Sequence, residues 1–108
     1  MAERTERDEG VVTKRLPKKK SKLDKPKLFK VLLHNDDYTT REFVVDVLMG
    51  VFHKSEADAI DIMLKVHHQG VGVAGIYTFE VAETKVNTVH ALAKQHEFPL
   101  MLSMEPEE

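Results

Sequence analysis

The chain has no cysteine and no tryptophan among its 108 residues. Without cysteine it can form neither a disulfide framework nor a thiolate metal site, and a reducing compartment suits it. It also lacks any apolar run near the roughly 18–20 residues that a membrane-spanning helix needs. No apolar stretch follows the charged N-terminus, so we do not expect a secretory signal. These absences predict a cytoplasmic protein that does not bind membranes.

The charges divide the chain into two unequal parts. Residues 1–27 carry ten lysines and arginines against five acidic residues, whereas residues 28–108 carry six against thirteen. The first part has few apolar residues and two interrupting prolines, Pro17 and Pro26, so it cannot bury enough surface to offset its ordering entropy. We therefore predict a flexible, disordered basic N-terminal arm over residues 1–27 and one core domain over residues 28–108.

The core domain begins with a strand and a helix. The mostly apolar stretch Leu28–His34 predicts a largely buried strand. Thr39 and Glu42 form a capping box, and apolar residues at helical spacing follow from Phe43 to Phe52. A polar turn therefore separates the first strand from the first helix.

The second half of the core domain repeats this alternation. Ser55 predicts the N-cap of a second helix. The predicted apolar face of this helix contains Ile60, Met63, Leu64 and His67. The glycine-rich residues 70–75 are predicted to end it. Further patterns predict a strand over residues 76–81, a helix over 82–96, a strand over 100–104 and a frayed acidic end over 105–108. The order β-α-α-β-α-β predicts an α+β fold, in which a three-stranded antiparallel sheet packs against three helices.

The densest polar cluster lies at the predicted turn between the first strand and the first helix. Asn35, Asp36 and Asp37 would be held rigidly there, although these residue types are also ordinary turn formers. His67 adds weight to a functional interpretation, because its ring nitrogens need partners if the ring is buried. If the turn packs against the second helix, Asn35, Asp37 and His67 converge beside an apolar wall.

Two chemistries suit such a cluster. One is a metal site with two carboxylates and a histidine, as in a small metal-dependent hydrolase that uses Asp36, Asp37 and His67. The other is capture of an α-ammonium group, which offers three hydrogen-bond donors at neutral pH. In the second case an adjoining apolar pocket would take the side chain that follows the amine, and methionine would adapt its wall to varied shapes. That pocket would contain Met63, Val66 and Leu100.

Other motifs carry less information. The glycine-rich run at residues 70–75 follows a helix and precedes a strand, the reverse of the dinucleotide-binding order. No cysteine nucleophile, serine elbow or P-loop is present. The basic arm could bind nucleic acid through phosphates, but it contains no aromatic residues and precedes an acidic domain. We therefore interpret the arm as a solvated linker.

Several stretches of the chain are similar to one known family. Residues 33–44 (LHNDDYTTREFV) resemble the signature of ClpS, the bacterial N-end rule adaptor family. Residues 63–70 (MLKVHHQG), 80–85 (EVAETK) and 99–100 (PL) resemble its later motifs in the same order and with matching spacing. The resemblance covers roughly residues 28–106, and three separated motifs in register make it specific.

The resemblance implies a function without catalysis. A ClpS adaptor binds the free α-amino group and the bulky hydrophobic first side chain (Leu, Phe, Tyr or Trp) of N-degron substrates. It delivers them to the ClpA/ClpP protease by docking on the N-terminal domain of the AAA+ unfoldase ClpA, with the mobile arm engaging the protease. We therefore expect no enzymatic activity, no cofactor and no nucleic-acid partner, and nothing in the sequence demands more than a monomer.

The resemblance also implies roles for individual residues. Asn35, Asp37 and His67 would hold the α-amino group, and Asp36 would support their turn. Glu80 and Lys85 would lie on the surface that docks ClpA. The residues that would line the side-chain pocket are Leu33, Thr39, Val44, Met63, Val66 and Leu100.

Arg41 departs from the family pattern at the edge of that pocket, where family members often carry methionine. Its long stem could cover the pocket rim. Its charge would also stand near the ligand's ammonium group and should weaken binding if the two approach closely. We expect altered selectivity or affinity at this position.

Overall fold

The computed structural model describes residues 25–108. It contains three strands and three helices in the order β1 (Leu28–His34), α1 (Arg41–Gly50), α2 (Glu56–Gln69), β2 (Val71–Thr78), α3 (Phe79–Gln95) and β3 (Met101–Pro106). The central strand β1 pairs antiparallel with β2 on one side and with β3 on the other. The predicted fold class and element order are confirmed, whereas the arm predicted over residues 1–27 lies outside the described residues as far as residue 24.

The alternation of β1 places the core on one face of the sheet. Val31 and Leu33 are fully buried on that face, whereas Leu32 between them is only half-buried. The opposite face carries exposed apolar side chains such as Val73 and Met101, which fits a two-layer arrangement. The helices and the turn after α1 complete the core with Val44, Val47, Leu48, Phe52, Ala59, Val66, Ala82, Val86, Val89 and Ala93.

The first helix begins one residue later than its capping box predicts. The Oγ1 atom of Thr40, not that of Thr39, accepts the Phe43 amide at 3.1 Å and caps α1. Thr39 instead donates its hydroxyl to Asp36 at 2.7 Å. The predicted capping box was wrong because a carboxylate three residues upstream competes for the Thr39 hydroxyl.

The second helix buries a different face from the predicted one. Ser55 accepts the Asp58 amide at 3.1 Å, as predicted for an N-cap. The buried residues of α2 are Ala59 and Val66, whereas Ile60 and His67 are exposed. The sequence carries two overlapping apolar stripes, and packing against β2 selects the one that contains Val66.

The strand and helix that follow lie earlier in the chain than predicted. The glycine-rich residues belong to β2, because Gly72 pairs with Leu33 and Gly75 pairs with Val31. The helix α3 then begins at Phe79, so Glu80 lies in its first turn and not in a strand.

The last strand extends into the acidic end of the chain. Glu105 pairs with Lys30 in the sheet, and their side chains form an ion pair at 3.6 Å. Pro106 pairs with Phe29, and the Glu107 amide donates to the Leu28 carbonyl at 2.8 Å. The prediction that the chain frays from residue 105 was therefore wrong, because backbone pairing with β1 continues through Pro106.

We expect Gly72→Ala to destabilise the protein. A Cβ atom at residue 72 would lie 2.8 Å from the Cγ2 atom of Val66, which is buried and cannot move without disturbing α2. Overpacking of this kind costs about 1–3 kcal/mol of unfolding free energy, which urea denaturation would measure.

Gly50→Ala is the matched control: nothing lies within 4 Å of its added Cβ, and alanine in a helix is about 0.5–1 kcal/mol more favourable than glycine. Equal stability of the two variants would contradict close packing between α2 and β2.

Candidate functional site

A cavity of about 480 Å³ opens where the turn after β1 meets α1 and α2. Its lining is polar along the turn, and the helices add the apolar side chains of Val44, Met63 and Val66 beside further polar ones. Nine of the residues predicted for the site line it: Asn35, Asp36, Asp37, Thr39, Arg41, Val44, Met63, Val66 and His67. Tyr38, Thr40 and Glu42 complete the lining.

Asp36 shapes the turn from within. One carboxylate oxygen accepts the Tyr38 amide at 2.8 Å and the Thr39 amide at 2.7 Å, and the other accepts the Thr39 hydroxyl. Burial acts to raise the pKa of Asp36, but these hydrogen bonds outweigh it and hold the pKa below its usual value. The stability that Asp36 contributes is therefore present above its unfolded-state pKa and is lost as the pH falls through the lower folded-state pKa.

Asp37 differs from its neighbour in being available to a ligand. It is exposed and lines the cavity. Among residues 25–108, no side chain or amide donates a hydrogen bond to its carboxylate. The turn therefore uses one carboxylate to hold its own shape and presents the next one to the cavity.

One backbone hydrogen bond joins the two halves of the site. The Asn35 amide donates to the Gly70 carbonyl at 2.9 Å. Gly70 ends α2 in the left-handed conformation, with φ of 90°, which glycine adopts without a steric penalty. Because His67 lies one turn before Gly70, this bond places the start of the polar turn beside the end of the helix that carries His67.

His67 lies at the exposed rim of the cavity, where Arg41 contacts it. The Nη2 atom of Arg41 donates to Nε2 of His67 at 2.9 Å. A guanidinium group can only donate, so Nε2 of His67 is the acceptor in this hydrogen bond. The His68 ring packs edge-on against the His67 ring, with centroids 5.0 Å apart.

Two residues predicted for the side-chain pocket lie outside the lining of this cavity. Leu33 is fully buried in the core, and Leu100, at 4% exposure, lines a neighbouring cavity of about 720 Å³. Tyr38, which was not predicted as a site residue, lines both cavities and is 77% exposed. A lone exposed aromatic residue within a polar turn was the available signal, because aromatic rings are often found at binding surfaces.

The predicted docking residues lie together on α3, but Lys85 also has a structural role. Glu80, Val81, Thr84 and Lys85 line a surface cavity of about 270 Å³. The Lys85 ammonium donates to the Val51 carbonyl at 2.7 Å and lies 5.2 Å from the Tyr77 ring centroid. It therefore satisfies a free carbonyl at the end of α1 and fastens α1 to α3.

Within residues 25–108, no group of three His, Asp or Glu side chains has a geometry that could hold a metal ion. None of the helices in this range has the length and apolar character needed to span a membrane.

Comparison with known proteins places these features in a family. Residues 24–103 match the family model described as "ATP-dependent Clp protease adaptor protein ClpS". The ATP-dependent Clp protease adapter protein ClpS of Myxococcus xanthus is 64% identical over 108 residues, which span 100% of this chain and 99% of that protein. The corresponding protein of Desulfatibacillum aliphaticivorans is 65% identical over 86 residues, which span 80% of this chain and 83% of that one.

A solved structure shows the same fold. Agrobacterium tumefaciens ClpS2 bound to L-phenylalaninamide superposes with a TM-score of 0.74 at 46% sequence identity, covering 77% of this chain and all of that one. The family model spans most of the chain, and the relative from Myxococcus xanthus matches it over its whole length. The chain therefore belongs to the ClpS family of ATP-dependent Clp protease adaptors.

Proposed function

We propose that this protein recognises N-degrons: it binds proteins by a free N-terminal amino group and a bulky hydrophobic first side chain. The observation that carries the proposal is a single cavity that combines a free carboxylate and other acceptors with an apolar wall. The ligand of the related Agrobacterium protein, L-phenylalaninamide, has the same two parts. It carries a free amine and a phenyl ring, and its amide replaces the carboxylate as a peptide bond would.

The acceptors match an ammonium group in number. An α-ammonium offers three donors, whereas the Asp37 carboxylate, the Asn35 side-chain oxygen and an unprotonated His67 nitrogen each offer an acceptor. Asp36 supports these groups indirectly, because its hydrogen bonds fix the turn on which Asn35 and Asp37 stand.

The apolar part of the cavity accounts for a bulky first side chain. Val44, Met63 and Val66 line it, and Thr39 and Arg41 stand at its polar edge. Burial of apolar surface contributes about 25 cal/mol per Å², so Leu, Phe, Tyr and Trp gain most from entering it. Leu33 and Leu100 would support this wall from the core.

Delivery requires a second surface. We assign docking of the ClpA N-terminal domain to the exposed start of α3, where Glu80 and Lys85 lie beside the exposed side chains of Phe79 and Val81. Residues 1–27 would act as an arm that engages the ClpA/ClpP protease, and residues 28–108 as the binding domain. In this role the protein works as a cytoplasmic monomer, needs no cofactor, and makes and breaks no covalent bond.

The proposal is tested by comparing a fluorescent peptide that begins with Phe with its N-acetylated twin. Acetylation removes the ammonium charge and leaves the side chain unchanged. We expect the free peptide to bind at least about tenfold more tightly in fluorescence anisotropy, since hydrogen bonds to charged groups contribute about 1.5–3 kcal/mol. A free peptide that begins with Gly is the control for the apolar pocket and should also bind weakly.

The same assay has a distinctive pH dependence. Binding should weaken above about pH 8, where an α-amino group loses its charge. Equal binding of the free and acetylated peptides, or binding of neither, would overturn the proposal.

A further inference from the structure

The contact between Arg41 and His67 occupies an atom that the proposed function assigns to the ligand. The guanidinium donates to Nε2 of His67 at 2.9 Å across the rim of the cavity. An unprotonated imidazole has one acceptor nitrogen, and that nitrogen has one lone pair. An incoming ammonium group that uses His67 must therefore displace Arg41 from it.

We propose that Arg41 is an internal competitor for the amine site, and that once displaced it favours ligands with an acidic side chain at their second residue. This inference rests on the proposed function and deepens it. In the free protein the Arg41 cation takes the place of the ligand's ammonium at His67. In the complex the same cation is released at the mouth of the site, where an anionic group of the ligand can pair with it.

The charged neighbours of Arg41 within residues 25–108 leave this partner to the ligand. The Asp36 carboxylate already accepts three hydrogen bonds within its turn. Asp37 would be neutralised by the ligand's own ammonium. Glu42 follows Arg41 directly on α1, and side chains of adjacent helical residues point about 100° apart. His67 and His68 are neutral or cationic and offer the guanidinium no negative charge.

The second residue of the ligand lies within reach of the released group. Its Cα atom is about 3.8 Å from the first Cα, which is held beside His67 when the amine is bound. Arginine is long, and its planar group binds a carboxylate through two parallel hydrogen bonds. A ligand carboxylate at this position would therefore replace the partner that Arg41 loses.

The test uses three free-amine peptides that begin Phe-Glu, Phe-Gln and Phe-Lys, measured against the full-length chain and its Arg41→Met variant. We expect the original chain to bind Phe-Glu roughly three- to tenfold more tightly than Phe-Gln, in the range of partly exposed ion pairs. In Arg41→Met this preference should vanish or reverse, because the remaining charges at the cavity are acidic. The variant should also bind Phe-Gln more tightly, because the competing cation has been removed.

A matched control removes a cation elsewhere. Lys65 lies on α2, is exposed and does not line the cavity, so Lys65→Met should leave the order of the three peptides unchanged. Nitrogen chemical shifts of His67 provide a second readout, because they report which ring nitrogen is protonated. They should change in Arg41→Met and not in Lys65→Met.

The outcomes separate this inference from the proposed function. Tighter binding of free than of acetylated Phe-Gln, together with identical peptide preferences in the original chain and Arg41→Met, would overturn the role of Arg41 and leave the proposed function intact. Failure of both proteins to distinguish free from acetylated peptide would overturn the two together. Loss of the Phe-Glu preference in Arg41→Met alone would establish the inference.

Discussion

Replacing Asp37 by asparagine should weaken the binding of a Phe-initiated peptide about ten- to a hundredfold, since a hydrogen bond to a charged partner contributes about 1.5–3 kcal/mol. Asparagine keeps the size of the side chain and removes its negative charge. Asp37 is exposed, lines the cavity and accepts no hydrogen bond from residues 25–108, so the substitution should leave the fold intact. Titration followed by fluorescence anisotropy measures the peptide affinity of the variant, and urea denaturation measures its free energy of unfolding.

Two carboxylates serve as controls for Asp37. Asp61 lies exposed on α2 outside the cavity, so Asp61→Asn should leave the affinity unchanged. Asp36→Asn removes a carboxylate that holds the turn together, and its main effect should be a lower free energy of unfolding. An Asp37→Asn variant with full affinity would mean that the ammonium is bound by other groups, and the proposed amine site would have to be abandoned.

Leu33→Ala should lower the free energy of unfolding by about 2–5 kcal/mol, the range observed when a large aliphatic residue in a core is cut to alanine. Leu33 is fully buried near the end of β1, so the missing side chain would leave a cavity that its neighbours can fill only in part. The midpoint of urea denaturation, with an unchanged slope, measures this loss.

Leu32 provides the matched control on the same strand. It is half-buried and points to the opposite face of the sheet, so Leu32→Ala should cost clearly less. If Leu33→Ala were as stable as Leu32→Ala and lost peptide binding, Leu33 would be a wall of the ligand pocket and not part of the core. The resemblance to ClpS and the burial of Leu33 make different predictions here, and this pair of variants decides between them.

The elements that sequence patterns located well are those with one dominant periodicity. β1 begins and ends as predicted, and the buried positions Val44, Val47 and Leu48 of α1 lie on the predicted stripe. In α2 two apolar stripes overlap, and the sequence alone does not say which one faces the sheet. Tertiary packing determines which stripe is buried, because the missing side chain of Gly72 lets Val66 approach β2 closely.

The strand β2 shows a different limit of sequence patterns. Glycines are unfavourable in isolated strands, so the sequence of residues 70–75 predicts a break between elements. Pairing with β1 overrides that preference. Glycine is also required at two positions of β2: a Cβ atom at residue 75 would meet the Tyr77 ring, and the absence of a Cβ atom at residue 72 makes room for α2. A contact with residues distant in sequence therefore decides the structure of this segment.

For the candidate site, the residue types were predictable and their partners were not. The sequence predicts that Asn35, Asp37 and His67 converge if the turn packs against α2, and all three line one cavity. Nothing in the sequence indicates that Arg41 donates to His67, since the two residues are 26 positions apart. The sequence likewise does not indicate that Lys85 of α3 donates to the Val51 carbonyl at the end of α1.

The hydrogen bond from the Asn35 amide to the Gly70 carbonyl allows the opening of the site to be measured at one amide. Its donor begins one half of the site and its acceptor ends the helix that carries the other half. The rate at which this single amide exchanges with deuterium therefore measures how often the two halves separate. Peptide binding should slow that exchange in proportion to ligand occupancy, whereas amides exposed by fraying of a distant helix end should not respond.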